Sequence, residues 1–176
     1  MVIVYYKKFE ANNISNYREK KYLEKKFANI MDKYIRYKHQ QIGLTYPPFF
    51  SKSHCLGMIV IAYSDSPVGC DVEVLRHDWT IIDIIKRVKF YLSTDEIKQL
   101  LCCDEPYFGA VLAWTRKESY YKVHQNRKIQ NLFCITQLDL SISNGVMKFT
   151  SVVVDSKFLL TCYTNDEENI RWIEIE

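Results

Sequence analysis

The chain has 176 residues, of which 48% are hydrophobic and 26% are charged; these values are typical of one soluble globular domain. Five glycines and four prolines are too few for a fibrous or low-complexity protein. The formal charge of +3 is too small to indicate nucleic-acid binding by itself.

The first forty residues predict a strand followed by a long basic helix. Val2 to Tyr6 is rich in β-branched and aromatic residues, as strands are, and Asn16 to Lys38 has the apolar spacing of an amphipathic helix. Between Arg18 and Lys38, eight basic residues stand against three acidic ones, a local excess of five positive charges. This segment is either a solvated helix face or a surface for an anionic partner: a phosphorylated small molecule, an acidic protein, a nucleic acid or a membrane.

The next segment predicts a loop and a β-hairpin. Gly43 to Pro48 interrupts the helical pattern. Met58 to Tyr63 is a continuous apolar run, which is typical of a buried strand, and Asp65 to Pro67 supplies a turn. We therefore expect Val68 to Val74 to return as the second strand of that hairpin.

The second half of the chain predicts helices and then strands. Trp79 to Phe90 has helical spacing, Ser93 and Glu96 form a capping box before the next helix, and Tyr107 to Val123 is a longer helix. Three later segments have the composition of strands: Phe133 to Ile142, Met147 to Val154 and Phe158 to Tyr163. The fold class is therefore α+β, without an internal repeat.

Cysteine spacing and hydropathy bear on the compartment. The six cysteines contain no Cys-x-x-Cys pair, which argues against a zinc site. The segment Met1 to Lys8 turns polar too early for a secretory signal, and the longest apolar run, Cys55 to Tyr63, is too short to span a bilayer. We expect a cytoplasmic protein with reduced thiols and no membrane partner.

Two acidic residues lie close together in a predicted strand. Asp71 and Glu73 are two residues apart, so both side chains leave the same face while Cys70 and Val72 point to the core. Carboxylates on one face repel each other, and Mg²⁺, which prefers oxygen ligands, would relieve that repulsion. The alternative is an edge strand with outward-facing acids.

A stripe of three residues marks the longest predicted helix of the second half. Trp114, Glu118 and Lys122 follow one another at intervals of four and share one helix face. A Glu and a Lys at this spacing are most often a surface ion pair, but Trp114 indicates that the stripe is partly buried.

Ser53 and His54 precede the apolar run at residue 58. A serine hydroxyl and an imidazole at the mouth of a strand can donate hydrogen bonds to phosphate oxygens. The alternative is that His54 is a structural hydrogen-bonding residue.

The order of these motifs is more specific than any one of them. Ser53-His54, then Gly-x-Asp-x-Glu ending at Glu73, then an acidic helix start, then Trp-Thr-x-Lys-Glu-Ser-x-x-Lys ending at Lys122 together resemble the 4′-phosphopantetheinyl transferase superfamily. The similarity is closest to the enzymes that activate peptide and polyketide synthetases, and extends from about Phe49 to Val123. It implies two pseudo-symmetric α+β halves, residues 1–74 and 75–176, of which the first is abbreviated.

The resemblance also implies an activity. Such an enzyme uses Mg²⁺ or Mn²⁺ to transfer 4′-phosphopantetheine from coenzyme A to a serine of an apo acyl or peptidyl carrier protein, releasing 3′,5′-ADP. The carrier would serve nonribosomal peptide, polyketide or fatty acid biosynthesis. We expect coenzyme A and the carrier as partners, no nucleic acid, and a monomer.

The metal and catalytic positions follow from the same resemblance. Asp71, Glu73 and Glu118 match the magnesium positions, and Glu118, or a water that it holds, would be the general base. Lys122 would neutralise or protonate the departing phosphate. Glu96 matches an acidic residue near the metal, although its capping box explains it as well.

Coenzyme-binding positions are less fully matched. Ser53 and His54 would bind a phosphate of the nucleotide together with Lys122, and Lys25 and Lys26 are candidates on the basic helix. Two further helix residues, Arg116 and Lys117, are expected to face solvent or coenzyme. Leu44 stands where the family has a phosphate-binding lysine.

Two other functions remain open at this level. A metal-dependent nuclease or phosphodiesterase would also use clustered acids and a lysine. A non-catalytic carrier-binding module would keep the fold and lose coenzyme affinity, for which Leu44 provides a reason.

Overall fold

The structure is a computed structural model that describes residues 1–9, 17–43, 45, 47–76, 78–124, 148–164 and 169–175. Within these ranges the elements follow in chain order: β1 Val2–Lys8, α1 Tyr17–Gln41, β2 Phe49–Cys55, β3 Met58–Ser64, β4 Val68–Val74, α2 Ile81–Val88, α3 Thr94–Leu101, α4 Pro106–His124, β5 Lys148–Val154, β6 Phe158–Thr164 and β7 Ile170–Glu174. The α+β class predicted from the sequence is confirmed.

The strands form two sheets. One has the order β2-β3-β1-β7, with β1 antiparallel to β3 and parallel to β7, and the other has the antiparallel order β4-β6-β5. Apolar side chains of both sheets share one core, in which Val4 and Val60 of the first sheet meet Val72 and Leu160 of the second. The two sheets therefore pack face to face.

Helix α1 covers the other face of the first sheet. Ala28, Met31 and Ile35 of the helix form a second buried cluster with Ile59 and Ile61 of β3. Strand β3 is thus buried on both faces along its whole length, which explains why its sequence is continuously apolar rather than alternating.

The three remaining helices pack together in a third cluster, in which Ile84 and Val88 of α2 meet Leu100 of α3 and Ala113 of α4. The predicted capping box of Ser93 and Glu96 is present, and Thr80 and Asp83 form a second one at the start of α2. Helix α4 also packs on β4 and β6, and so joins the helical cluster to the second sheet.

The predicted hairpin of residues 58–74 is wrong. Strand β3 pairs with β1 on one side and β2 on the other, whereas β4 pairs with β6 in the second sheet. Both edges of β3 are occupied, so the turn after Ser64 carries the chain into the other sheet. One of the two partners of β3 is β2, a strand not predicted from the sequence, and Ser53 and His54 lie within β2.

Other predictions of elements agree with the structure or lie outside it. The hairpin of β5 and β6 is present, and β7 was not predicted. The predicted strand Phe133 to Ile142 lies outside the described residues, as does Leu44. In the described ranges, no helix is both long enough and apolar enough to cross a membrane.

Candidate active site between strand β4 and helix α4

The site depends on a close approach of α4 to β4 at Gly69. A Cβ atom at this position would overlap the backbone carbonyl of Ser119, so only glycine permits the contact. The approach turns the stripe of Trp114, Glu118 and Lys122 towards the acidic residues of β4. The sequence prediction that this stripe is partly buried is confirmed.

Asp71 is the most enclosed carboxylate of the group, with 5% of its surface exposed. Its Oδ1 accepts hydrogen bonds from Ser53 Oγ at 2.7 Å and from Lys122 Nζ at 2.8 Å. Lys122 Nζ also donates to the carbonyl oxygen of Cys70 at 2.9 Å. Strands β2 and β4 and helix α4 therefore converge on one carboxylate oxygen.

Glu73 lies on the same strand face and is held by Trp114, whose Nε1 donates to Glu73 Oε1 at 3.0 Å. Burial raises the pKa of Glu73 to about 7, and the negative charges of Asp71 and Glu118 add to this rise. The hydrogen bond from Trp114 opposes the rise because it stabilises the ionised form.

Glu118 and Lys122 complete the charged group. Burial raises the pKa of Glu118, the charge of Asp71 raises it further, and Lys122 opposes the change. Burial lowers the pKa of Lys122, but attraction to Asp71 and Glu118 outweighs it, so the pKa lies above the usual value. Three carboxylates against one ammonium leave an excess of negative charge when all are ionised.

The carboxylate oxygens of this group are of the chemical type that binds a divalent cation. Asp71 Oδ2 is buried without a hydrogen-bond partner in the described part of the chain, and oxygen donors with excess negative charge are what Mg²⁺ prefers. The described residues do not, however, contain three or more potential ligands already gathered around one point, and Lys122 Nζ lies 2.8 Å from Asp71 Oδ1. The chemistry of the residues fits a magnesium ion, whereas a preformed cage is not present among them.

His54 extends the site towards α1. Its Nδ1 lies 3.1 Å from Glu24 Oε2, and Glu24 is largely buried beneath the helix. Lys25 and Lys26 follow Glu24 and are exposed. Ser53 therefore contacts the acidic group directly, and His54 is the next residue of β2. The two lysines are connected to the acidic group only through the contact between Glu24 and His54.

Glu96 has a separate set of contacts. Its carboxylate pairs with Lys117 at 2.9 Å and accepts a hydrogen bond from the backbone N–H of Ser93 at 2.7 Å. The expectation that Lys117 faces solvent or coenzyme is wrong, because Lys117 is fully buried and also donates to the carbonyl oxygen of Tyr91 at 2.7 Å. Arg116 is likewise buried, with 6% exposed, and lies over the ring of Phe149. Helix α4 packs on more than one side, so both side chains are enclosed.

A cavity of about 690 Å³ opens beside Glu73 and Trp114. Five of its twelve lining residues are aromatic, and the guanidinium carbon of Arg87 lies 4.0 Å from the ring centroid of Trp79. The other principal lining residues are Cys55, Arg76, Phe90, Tyr91 and Tyr107. Volume and lining are those of a small-molecule site with a few polar groups at one end.

The sequence-predicted residues thus divide into three sets. The first is the acidic group with its two partners: Asp71, Glu73, Glu118, Lys122 and Ser53. The second lies towards α1, where His54 contacts Glu24 and the two candidate lysines are exposed. The third is Glu96, which is bound to Lys117. Sequence reasoning missed the cavity and the roles of Trp114 as a donor and Glu24 as the partner of His54. The aromatic residues Trp79, Phe90 and Tyr91, at the two ends of one predicted helix, were a weak signal for the cavity; no local pattern pointed to Glu24.

The family comparison covers this part of the chain. The sequence model described as the 4′-phosphopantetheinyl transferase superfamily matches residues 67–166. This stretch begins just before β4 and includes all of α4 and β6. No curated protein matches the chain. Since the match spans more than half of the residues, the chain belongs to the 4′-phosphopantetheinyl transferase superfamily.

Proposed function

We propose that this protein is a holo-[carrier protein] synthase, which transfers 4′-phosphopantetheine from coenzyme A to a serine of an apo acyl or peptidyl carrier protein and releases 3′,5′-ADP. Family membership supports phosphopantetheine transfer in general. The observation that carries the specific proposal is the contact of Lys122 with Asp71 in the same group as Glu73 and Glu118.

The reaction is a displacement at phosphorus. The hydroxyl oxygen of the carrier serine attacks the phosphorus that bears the pantetheine arm, the bond from that phosphorus to 3′,5′-ADP breaks, and the serine proton leaves. Glu118 is the proposed base for that proton. Its raised pKa makes it a better proton acceptor than an exposed carboxylate, and no side chain in the described structure donates a hydrogen bond to it.

Lys122 is the proposed partner of the leaving phosphate. Its ammonium already lies within an acidic group and keeps a raised pKa, so it stays charged at neutral pH and can neutralise the charge that develops on 3′,5′-ADP. Ser53 and His54, adjacent on β2, would bind a phosphate of the nucleotide, and Lys25 and Lys26 are candidates for the more distant phosphate.

Asp71, Glu73 and Glu118 would hold the Mg²⁺ or Mn²⁺ ion. When bound, the ion would supply charge neutralisation at the non-bridging oxygens of the diphosphate. The free Oδ2 of Asp71 supports this role. We propose that Glu96 contributes through its ion pair with the buried Lys117 and is not itself a ligand of the metal ion.

The aromatic cavity is the candidate site for the pantetheine arm. It adjoins Glu73, a proposed ligand of the ion that would hold the diphosphate, and an extended, largely uncharged arm suits its lining. The guanidinium of Arg76 or Arg87 at the rim would favour an acidic carrier protein.

Three wider expectations accompany this function. We propose that the domain consists of two halves, residues 1–74 and residues 75–176, although β4 of the first half pairs with β6 of the second. We further propose a monomer that acts in the cytoplasm, and carriers of peptide, polyketide or fatty acid synthesis as substrates.

The test is the intact mass of an apo carrier protein after incubation with the enzyme, coenzyme A and Mg²⁺. We expect a gain equal to one phosphopantetheine, and a loss of rate of about 100-fold or more in Glu118→Ala and in Lys122→Ala. The matched control is Lys98→Ala, which removes an exposed lysine whose partner is Asp95 and should leave the rate unchanged.

Two outcomes would replace the proposal. Carrier binding in calorimetry without any mass gain, for several carriers, would indicate a non-catalytic carrier-binding module. Mg²⁺-dependent hydrolysis of a phosphodiester such as bis(p-nitrophenyl) phosphate, abolished by Asp71→Asn and without carrier modification, would indicate a phosphodiesterase.

A further inference from the structure

Helix α1 has two apolar stripes, of which one is buried and the other is largely exposed, although the ring of Phe27 in the second stripe stacks on Phe9. Ala28, Met31 and Ile35 pack on β3. A second stripe leaves large side chains in solvent, with Phe27 47%, Ile30 52%, Tyr34 48% and Tyr37 56% exposed, and begins at the half-buried Leu23. Exposed apolar residues gathered in one stripe indicate an interaction surface.

The spacing of this second stripe is that of a helix-packing seam. Its members are Leu23, Phe27, Ile30, Tyr34 and Tyr37. They are separated alternately by four and three residues, which is the pattern of the a and d positions that meet a second helix in a coiled coil. A helix lying in a membrane surface has a wider apolar face than this two-per-heptad stripe.

Lysines flank the seam on both sides. At 100° per residue, Lys26 and Lys33 lie along one margin, and Lys20 and Lys38 lie along the other. Lys26, Lys33 and Lys38 are exposed. An acidic flank would be attracted to this pattern, and a basic one repelled.

The acidic residues of α1 do not balance these lysines at the seam. Glu24 is turned inward to His54. Asp32 accepts hydrogen bonds from Arg36 and from the hydroxyl of Tyr63 on β3. Glu19, in the first turn, is exposed near one margin of the seam, so one carboxylate stands against the four lysines and the flanks of the seam keep an excess of positive charge.

We propose that the seam of α1 is the docking site for an acidic amphipathic helix of a partner protein. The apolar positions would pack at the centre, and acidic residues flanking the partner's own seam would pair with the lysines. A second copy of this chain is disfavoured as the occupant because it would bring the lysines of two α1 helices together.

This inference goes beyond the proposed transfer reaction and does not depend on it. Helix α1 and the second sheet lie on opposite faces of the first sheet, and the centre of the seam is about 110° around α1 from the residues that pack on β3. A partner bound there would leave the group around Asp71 accessible.

The experiment uses the full chain and a labelled acidic helical peptide of about three heptads, with Leu at a and d and Glu at e and g. Its counterpart has Lys in place of every Glu. In fluorescence anisotropy at low ionic strength we expect the acidic peptide to bind at least about 10-fold more tightly than the basic one. The difference should shrink as salt is added.

Two sets of variants, one apolar and one charged, locate the binding. Ile30→Ala and Tyr34→Ala should each weaken binding of the acidic peptide by about 10-fold, whereas Tyr22→Ala, exposed on the same helix but about 100° from the centre of the seam, should not. Lys33→Glu should weaken it, while Lys21→Glu, with the same charge change on the far side, should have a smaller effect. Carrier modification, where present, should be unchanged in all five variants.

The opposite results would overturn the proposal. Equal binding of the two peptides, or no loss in Ile30→Ala and Tyr34→Ala, would exclude this docking site. Sedimentation showing a dimer that Tyr34→Ala dissociates would assign the seam to a second copy. Binding to vesicles containing phosphatidylserine in preference to the peptide would assign it to a membrane surface.

Discussion

The indole Nε1 of Trp114 donates a hydrogen bond of 3.0 Å to Glu73 Oε1. This bond joins α4 to β4 at the acidic group, while the ring of Trp114 packs edge-on against Tyr91, 4.8 Å away. The same side chain therefore orients a proposed metal ligand and forms part of the cavity wall.

Replacing Trp114 with Phe keeps the ring and removes this donor. Because the bond stabilises the ionised carboxylate, the pKa of Glu73 should rise further above about 7, by about one unit. The acidic limb of the pH–rate profile for carrier modification should move to higher pH, with the rate recovering in alkaline buffer. The control is Trp79→Phe, in the same cavity, which should leave the acidic limb of the profile in place. An unchanged acidic limb in Trp114→Phe would show that this hydrogen bond does not control the pKa of Glu73.

Gly69→Ala should displace α4. The added Cβ meets the backbone of Ser119, which cannot rotate away, so we expect a loss of about 1–3 kcal/mol in the free energy of unfolding and a loss of transfer activity. The matched control is Gly109→Ala on the same helix, where the Cβ meets only the end of the Leu100 side chain and helix propensity improves. Equal stability of the two variants in urea denaturation would contradict the close-contact argument.

The buried pair of Lys117 and Glu96 should be strongly coupled. Lys117→Met leaves the Glu96 carboxylate buried without its partner and should reduce the free energy of unfolding by about 3–5 kcal/mol. Adding Glu96→Gln to Lys117→Met should restore part of the loss, because the uncompensated charge is removed.

A double-mutant cycle in urea measures this coupling. Lys98→Met, which breaks an exposed pair with Asp95, should change stability by about 0.5 kcal/mol or less. Additive effects of the two buried substitutions would show that Lys117 and Glu96 contribute independently.

Ionisation of Glu73 should oppose folding in the absence of a cation. Its pKa is raised from 4.5 to about 7 on folding, so the unfolded chain releases this proton first and wild-type stability falls as pH rises between these values. The full effect is about 3 kcal/mol at most. Glu73→Gln has no carboxyl group to ionise at this position and so lacks this pH-dependent loss of stability. Its free energy of unfolding relative to the wild type should therefore be greater at pH 8 than at pH 5.

Urea denaturation of both proteins in EDTA at the two pH values makes the comparison. Mg²⁺ should then stabilise the wild type at pH 8 and have less effect on Glu73→Gln. A stability difference that is the same at both pH values would mean that Glu73 titrates normally.

Local pattern was enough for many elements of this fold. The capping box at Ser93 identified the start of α3 because its two hydrogen bonds are made within four residues. The spacing of Trp114, Glu118 and Lys122 placed them on one side of α4 because helix geometry is set by the backbone. The motif order from Ser53 to Lys122 identified the family that the comparison then showed.

Strand pairing was beyond the reach of local pattern. The turn after Ser64 predicts a reversal but not a partner, and both edges of β3 are taken by strands that come earlier in the chain. The second sheet pairs β4 with β6, about ninety residues later in the sequence. Which strands meet depends on the packing of all of them.

The direction in which buried polar side chains point was also decided by tertiary structure. Lys117 shares its helix with Lys122, and periodicity alone places it about 100° around the helix from the centre of the stripe. Packing on the α3 region encloses that side as well, so Lys117 pairs with Glu96 instead of reaching solvent. The sequence by itself determined which residues carry charge and which of them share a face. Only the packing of α4 on β4 at Gly69 decided that the acidic residues of β4 form one group with Glu118 and Lys122. The sequence could not show this because the contact joins residues about fifty positions apart.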